Sequence, residues 1–246
     1  MGTVGAPLPG VAVPVLIVPY RRGGSRIRAR AAAFVRRYLH AMHPDWPACF
    51  AVEPHTGWSK PRAVNAAVTA TTGRVIVVHD ADCLVEPAAL ERAVDAVDRG
   101  ASWAVPHRMV YRLNSDTTSS LYRHGVHVAV GPVSRQDGQR APYLGVPGGG
   151  ILVVSRDAWE TVGGFDERFE GWGGEDAAFG HALDTLAGPH WRGVAPLWHL
   201  YHPRADPGVV YDTNHALEIR YLHASGKPDE MRALLAERLT PVGLGD

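Results

Sequence analysis

The chain has 246 residues with equal numbers of acidic and basic side chains, so its formal net charge is zero. This balance excludes a general electrostatic attraction to nucleic acid or acidic membranes, and the length suits one globular α/β domain. Two cysteines, Cys49 and Cys83, are too few for a disulfide framework and favour a reduced, cytoplasmic compartment. The apolar run 11–18 is too short to cross a membrane, so we expect no membrane segment.

Strand and helix patterns alternate along the first hundred residues. Continuous apolar runs, typical of parallel sheets, predict buried strands at residues 11–18, 50–53 and 75–79. The intervening segments predict helices, the first capped by Ser25, at residues 25–42, 60–71 and 87–98. This order predicts a parallel sheet built from βαβ units.

The composition changes in residues 114–150, which are rich in Ser, Thr, Gly, Gln and Pro. Within this region, residues 121–130 fit either a helix or a strand. The remaining patterns predict strands at 151–155 and 197–201 and helices at 157–162, 175–186, 213–224 and 229–239. No repeat or linker interrupts the chain, and one domain is therefore expected.

Asp80 and Asp82 directly follow the predicted strand 75–79. In open α/β sheets, ligands bind beyond the carboxyl ends of the strands. Two carboxylates separated by one residue at such an end can share a divalent cation, and oxygen ligands select magnesium or manganese. The alternative is a turn or helix cap before Pro87.

Residues 163–176 combine five glycines, two Phe, one Trp and five acidic residues. Glycine disfavours both helix and strand, so this composition indicates a backbone held close to a ligand. An aromatic face together with carboxylates suits a sugar, which has an apolar ring face and hydroxyl groups at its rim. A solvated, glycine-rich surface loop is the alternative.

The last part of this segment, Gly-Trp-Gly-Gly-Glu-Asp, resembles a signature of the beta-1,4-galactosyltransferases and the chondroitin polymerases. Polypeptide N-acetylgalactosaminyltransferases carry a looser version that ends in Asn. Together with the Asp-x-Asp motif, the resemblance extends over about residues 11–203. It implies an α/β fold: a single Rossmann-like GT-A domain with a mostly parallel central sheet flanked by helices. The implied parts are a nucleotide-binding half (about 11–110), an acceptor and catalytic half (about 145–203) and a C-terminal helical extension (204–246).

The resemblance also implies a chemistry, in which a metal-dependent glycosyltransferase moves a hexose or N-acetylhexosamine from a UDP-sugar with inversion. The expected metal ion is Mn²⁺ or Mg²⁺, bound by Asp80, Asp82 and His202, with His199 as the other candidate histidine. Residues implied at the donor nucleotide and its sugar are Pro19, Tyr20, Arg21, Glu53, Arg62, Asn65, Asp80, Ala81, Gly149 and Gly150. A solvated arginine at 21 and an ordinary amphipathic helix at 60–71 are the alternatives, and residues 114–147 are expected to cover the site.

For catalysis, the resemblance implies Asp176 as the base, Glu175 as a hydrogen-bonding partner of a sugar, and Trp172 with Gly173 and Gly174 as the sugar-binding surface. Both acids could instead cap the following helix. The alternatives in function are a retaining N-acetylgalactosaminyltransferase-like enzyme and an inactive module that binds a nucleotide sugar or glycan. The acceptor stays open among saccharide, protein, lipid and modified nucleic acid, and the oligomeric state is not predicted.

Overall fold

The computed structural model describes residues 13–21, 25–52, 58–127, 138–142, 149–203 and 210–239. These residues form a mixed eight-stranded sheet with helices around it. Its strands are β1 (Val15–Tyr20), β2 (Ala48–Val52), β3 (Val75–His79), β4 (Cys83–Val85), β5 (Trp103–Leu113), β6 (Gly138–Pro142), β7 (Ile151–Ser155) and β8 (Trp191–His199). They lie in the order β2-β1-β3-β7-β5-β8-β4, with β6 beside β5. The helices are α1 (Arg26–Met42), α2 (Lys60–Thr69), α3 (Pro87–Asp98), α4 (Ser115–His124), α5 (Arg156–Val162), α6 (Glu175–Leu186), α7 (Tyr211–Ala224) and α8 (Pro228–Ala236), followed by a 3-10 turn at Glu237–Leu239.

The amino-terminal half is a parallel sheet, as the sequence predicts. β1 pairs in parallel with β2 on one side and with β3 on the other. The predicted α/β class is confirmed, and β3, α3, β7 and α6 have the predicted bounds. Ser25 caps α1 as expected, because its side-chain oxygen accepts a hydrogen bond from the N–H of Arg28 (3.3 Å). The first strand begins at Val15, and residues 11 and 12 lie outside the described residues.

The structure differs from the sequence prediction in residues 103–142. An eleven-residue strand, β5, has no counterpart in the prediction, and the Ser- and Gly-rich region contains helix α4 and strand β6. β5 contains Pro106, His107 and Arg108, and its register with β8 shifts twice around His107. The proline, the two polar residues and the irregular pairings disrupt the period-two pattern by which strands are identified.

The second half of the sheet brings the later segments to the carboxyl edge of β3. β7 runs antiparallel to β3, and β8 runs antiparallel to β4 and parallel to β5. The glycine-rich segment 163–174 then connects α5 to α6 across this edge. No helix in the described ranges is long and apolar enough to cross a membrane.

The segment 163–174 contributes two of its three aromatic rings to the core. Phe165 and Phe169 are 1% and 2% exposed, whereas Trp172 is 57% exposed. The ring of Phe165 stacks on that of Phe179 in α6, with centroids 4.1 Å apart. The two phenylalanines therefore anchor the segment, and Trp172 alone of the three faces solvent.

Phe165→Ala should lower the free energy of unfolding by about 3–5 kcal/mol, because it leaves a cavity in a packed core. Trp172→Ala, in the same segment, should cost less than about 1 kcal/mol because the ring is already exposed. Chemical denaturation of both variants measures the difference. Equal losses of stability would contradict this assignment of the two rings.

Candidate active site

Main-chain hydrogen bonds fix the turn formed by Asp80, Ala81 and Asp82. The N–H of Asp80 donates to the carbonyl of Gly150 (2.8 Å), immediately before β7. The N–H of Leu200, immediately after β8, donates to the carbonyl of Asp82 (2.8 Å). The turn is thus tied to two neighbouring strands, and its carboxylates lie at the carboxyl edge of β3.

Two histidines at the end of β8 face the carboxylate of Asp82. Nε2 of His202 lies 3.1 Å from one carboxylate oxygen, and Nε2 of His199 lies 3.8 Å from the other. The Nδ1 atom of each histidine contacts a main-chain carbonyl, that of Pro203 for His202 (2.8 Å) and that of Leu200 for His199 (3.0 Å). A carbonyl only accepts hydrogen bonds, so Nδ1 carries the hydrogen and the Nε2 lone pair points toward Asp82 in each neutral imidazole.

A lone pair that faces a carboxylate requires a proton or a metal ion between the two atoms. Burial lowers the pKa of His199 despite the attraction of Asp82, which disfavours the proton. Asp82, His199 and His202 offer ligand atoms within 4.8 Å of one another, and Asp80, Asp82 and Cys83 form a second such group. Carboxylate and imidazole ligands of this kind hold first-row divalent cations, and the backbone bonds at Nδ1 orient the rings for it. The residues fit a metal ion.

Lys60 connects this group to the start of α6. Its ammonium Nζ lies 2.7 Å from Oδ1 of Asp80 and 2.9 Å from both carboxylate oxygens of Asp176. The Lys60 side chain is only 10% exposed. Burial alone would lower its pKa, but the charges of Asp176, Asp80 and Glu175 hold the pKa well above its ordinary value. Lys60 is therefore a buried cation bridging the Asp-x-Asp turn and the glycine-rich segment.

Among the described residues, the carboxylates at this edge outnumber the cations that face them. Burial raises the pKa of Asp80 to about 6, although Lys60 opposes the shift. Burial, and to a smaller extent the negative charge of Asp176, raises the pKa of Glu175 to about 7. Burial would also raise the pKa of Asp82, but His202, His199 and Arg28 hold it well below the ordinary range. A divalent cation would offset this excess of negative charge.

The residues predicted at the donor lie on both sides of this edge. β1 pairs in parallel with β3, with Ile17 opposite Val78. Continuing this register places Pro19 level with Asp80, and Tyr20 and Arg21 follow just beyond that level. Gly149 and Gly150 lie beside the Asp80 main chain, and both have positive φ. A Cβ on Gly150 would come within 2.6 Å of the Leu197 side chain, so this approach requires glycine. Glu53 lies outside the described residues.

Arg62 and Asn65 have a structural task on α2. Asn65 donates from Nδ2 to the carbonyl of Phe165 (2.9 Å), and its Oδ1 accepts from the N–H of the same residue (3.0 Å). Arg62 pairs with Glu170 at 3.0 Å. Both side chains thus hold the glycine-rich segment against α2, and a role for either in donor binding stays a prediction.

The loop that carries Trp172 is fastened to α7 by Asn214, which is 2% exposed. The Asn214 Nδ2 donates to the carbonyls of Glu170 (2.7 Å) and Trp172 (3.2 Å). Gly173 and Gly174 both have positive φ, and the N–H of Gly173 donates to Glu175 (3.2 Å). Trp172 is therefore held at the surface, next to the acidic pair that begins α6.

The sequence prediction missed Lys60 and Arg28, and it gave His199 only as the other candidate histidine. Two features of the sequence could have indicated Lys60. It is one of two lysines in the chain, and it follows Ser59, the N-cap of α2. Arg28, in the arginine-rich helix α1, reaches to 3.7 Å from Asp82. β8 ends at His199, so side-chain alternation does not continue to His202 and both rings face Asp82.

The raised pKa of Glu175 makes stability depend on pH. The ordinary pKa of 4.5 rises to about 7, so the folded state binds this proton more tightly than the unfolded state. The resulting stability is complete below about pH 4 and is lost as the pH rises through about 7. Glu175→Gln should therefore unfold at a higher temperature than the parent protein, by a margin that widens from pH 5 to pH 8. Thermal unfolding across this range tests it, and a margin that is constant or narrows would contradict it.

Three of the solved structures that align with this chain are glycosyltransferases. The chain aligns with GalNAc-T7 in complex with UDP, GalNAc and Mn²⁺ at 12% identity and a TM-score of 0.54, covering 93% of this chain and 55% of that one. It aligns with the mannosyltransferase PcManGT from Pyrobaculum calidifontis, in complex with GDP-Man and Mn²⁺, at 15% identity and a TM-score of 0.51, covering 97% and 79%. The Drosophila beta1,4-galactosyltransferase 7 catalytic domain with xylobiose aligns at 15% identity and a TM-score of 0.45, covering 82% and 78%.

The two alignments with TM-scores above 0.5, both at low identity, concern the fold, which is the GT-A fold that the sequence motifs predict. The search of curated proteins gave no match. The family is shown by the sequence itself: residues 29–163, more than half of the chain, match the model of glycosyl transferase family 2, and the chain belongs to this family of glycosyltransferases.

Proposed function

We propose that this glycosyltransferase transfers a hexose or N-acetylhexosamine from a UDP-sugar, with a divalent cation and with inversion at the anomeric carbon. The observation that carries the proposal is the bridge from Asp80 through Lys60 to Asp176. It brings a candidate metal group and a candidate base to one strand edge, one ammonium group apart. A transferase needs both at the bond between sugar and phosphate.

Asp82, His199 and His202 would hold the cation, with Asp80 completing the set. When bound, the ion neutralises the charge that develops on the nucleotide diphosphate as the sugar departs. Imidazole ligands favour manganese over magnesium, which prefers oxygen. Lys60, held at the carboxylates of Asp80 and Asp176, would add a second positive charge at this edge.

Asp176 is the proposed proton acceptor. The Lys60 bridge keeps its carboxylate near Asp80, and a base must lie close to the reacting carbon before its pKa matters. Burial raises the pKa of Glu175, which favours the protonated carboxyl group, and in that form it can both donate and accept hydrogen bonds with a sugar hydroxyl. Both acids also lie in the first turn of α6, where the helix dipole favours negative charge.

Arg21, Glu53, Arg62 and Asn65 are the residues proposed around uridine and the phosphates. The GT-A fold does not determine which nucleotide binds, because the structural neighbours include one complex with UDP and one with GDP-Man. The choice of UDP therefore rests on the motif resemblance, and nucleotide competition has to test it.

Incubation with UDP-hexoses and UDP-N-acetylhexosamines in Mn²⁺, without acceptor, should release UDP slowly, and a chelator should stop the release. Asp82→Asn and His202→Ala should each lower the rate by about two orders of magnitude, because the diphosphate charge is then left uncompensated. His223→Ala, at an exposed histidine of α7, serves as the matched control and should keep the parent rate.

Chelator-resistant release would contradict the metal assignment. Faster turnover of GDP-sugars would contradict the nucleotide assignment. Thermal stabilisation by UDP-sugars without any release would favour the inactive binding module.

Asp176→Asn should keep UDP binding and lose most of the sugar transfer, because an amide cannot accept the proton.

Water serves as the acceptor in donor hydrolysis, so the stereochemistry of the reaction can be measured without a known acceptor. The sugar first released from an α-linked UDP-sugar should be the β anomer, by proton NMR of its anomeric signal before mutarotation. An initial α anomer would overturn inversion and favour the retaining alternative.

A further inference from the structure

Three exposed rings lie in a row beside the carboxylates of α6. Trp172 is 57% exposed and Tyr211 40%, and the His215 side chain is 56% exposed. The Trp172 and Tyr211 ring centroids are 6.1 Å apart with an interplanar angle of 13°. Tyr211 and His215 follow at 6.2 Å and 7°. We call these three near-parallel rings the aromatic platform.

The surrounding backbone holds the platform in place. Tyr211 and His215 are one helical turn apart on α7, so their side chains share one face. Asn214, between them, binds the carbonyl of Trp172 and keeps the first ring against the second. Gly173 lies against Tyr211, since a Cβ at that position would be 3.9 Å from the ring. The platform is therefore built before any ligand arrives.

The platform adjoins the proposed reaction centre. The N–H of Gly173, the residue after Trp172, donates to the Glu175 carboxylate (3.2 Å), so the backbone next to Trp172 contacts the acid pair directly. A sugar stacked on Trp172 would present its hydroxyl groups to these acids, and the chain of that sugar would continue over Tyr211 and His215. Exposed flat rings suit the apolar face of a pyranose.

The charges around the platform select among acceptors. Glu170 is 56% exposed at the loop, and Glu218 lies 3.5 Å from Nδ1 of His215. Asp212 is in the first turn of α7. Arg62 offsets the charge of Glu170 (3.0 Å), but Glu218 and Asp212 disfavour phosphodiesters, sulfated sugars and uronates relative to neutral saccharides.

We propose that Tyr211 and His215 extend the acceptor site beyond Trp172 and bind the second sugar unit of a neutral oligosaccharide acceptor. The inference rests on the proposed function, because it takes the acid pair as the reaction centre. It narrows the acceptor from four open classes to the saccharides, and among these to uncharged chains of at least two units.

The test compares the affinity of the full chain, with UDP and Mn²⁺, for neutral tetrasaccharides and for their monosaccharides. Cellotetraose, xylotetraose and N-acetylchitotetraose are the probes, and intrinsic tryptophan fluorescence and calorimetry are the readouts. At least one tetrasaccharide should bind more tightly than its monosaccharide. Tyr211→Ala should reduce this ratio roughly three- to tenfold, whereas Tyr211→Phe, which keeps the ring, should preserve it. Leu222→Ala, at an exposed apolar residue farther along α7, is the matched control and should also preserve it.

A parent protein without any tetrasaccharide preference, or a Tyr211→Ala variant with the parent ratio, would overturn the proposal. So would tighter binding of tetragalacturonate or of a hexathymidylate, which would indicate an acidic glycan or a nucleic acid as acceptor. UDP release from donor sugars in the same samples separates this result from the proposed function. UDP release without a tetrasaccharide preference would contradict only the proposed role of the aromatic platform. A tetrasaccharide preference without UDP release would contradict only the proposed donor chemistry.

Discussion

The buried ammonium of Lys60 joins three parts of the chain that are distant in sequence: the start of α2, the Asp-x-Asp turn and the start of α6. A lysine that is 8% exposed would be costly to bury without partners, so the cation and its two carboxylates depend on one another. Ser59 strengthens the junction, because its side-chain oxygen caps α2 and donates to the carbonyl of Phe169 (3.2 Å). The position of the acid pair relative to Asp80 follows from this electrostatic contact.

Local signals account for the parts of the fold that the sequence predicts. β3, α3 and α6 have the predicted bounds because each combines a continuous apolar run or helical period with a clear stop or start residue. β5 was missed for the opposite reason: its interior holds Pro106 and His107, and its place is set by pairing with β8, far along the chain. Such pairing is a tertiary property that no window of sequence contains.

The glycine-rich segment shows the same limit at the level of single side chains. Its composition predicts a ligand-binding loop, but composition gives Phe165, Phe169 and Trp172 the same apolar value. Only the packing separates them, since Phe179 and Tyr221 receive the two phenylalanines while Asn214 holds the tryptophan loop at the surface. Asn65 is a parallel case, because its helical position is compatible with donor binding and its hydrogen bonds are made to the main chain of Phe165.

The histidine pair extends this reasoning from position to chemistry. Two Nδ1 contacts with carbonyl oxygens fix the tautomer of each neutral ring and direct both Nε2 atoms to one carboxylate. Such an arrangement of acceptors is unfavourable in isolation, as is the crowding of Asp80, Glu175 and Asp176 around a single lysine. The excess of negative charge and lone pairs becomes favourable when a divalent cation binds, and a bound cation in turn attracts a diphosphate. The features that make the edge electrostatically unfavourable on its own are therefore the ones that would favour the proposed metal ion and, through it, the diphosphate of the proposed donor.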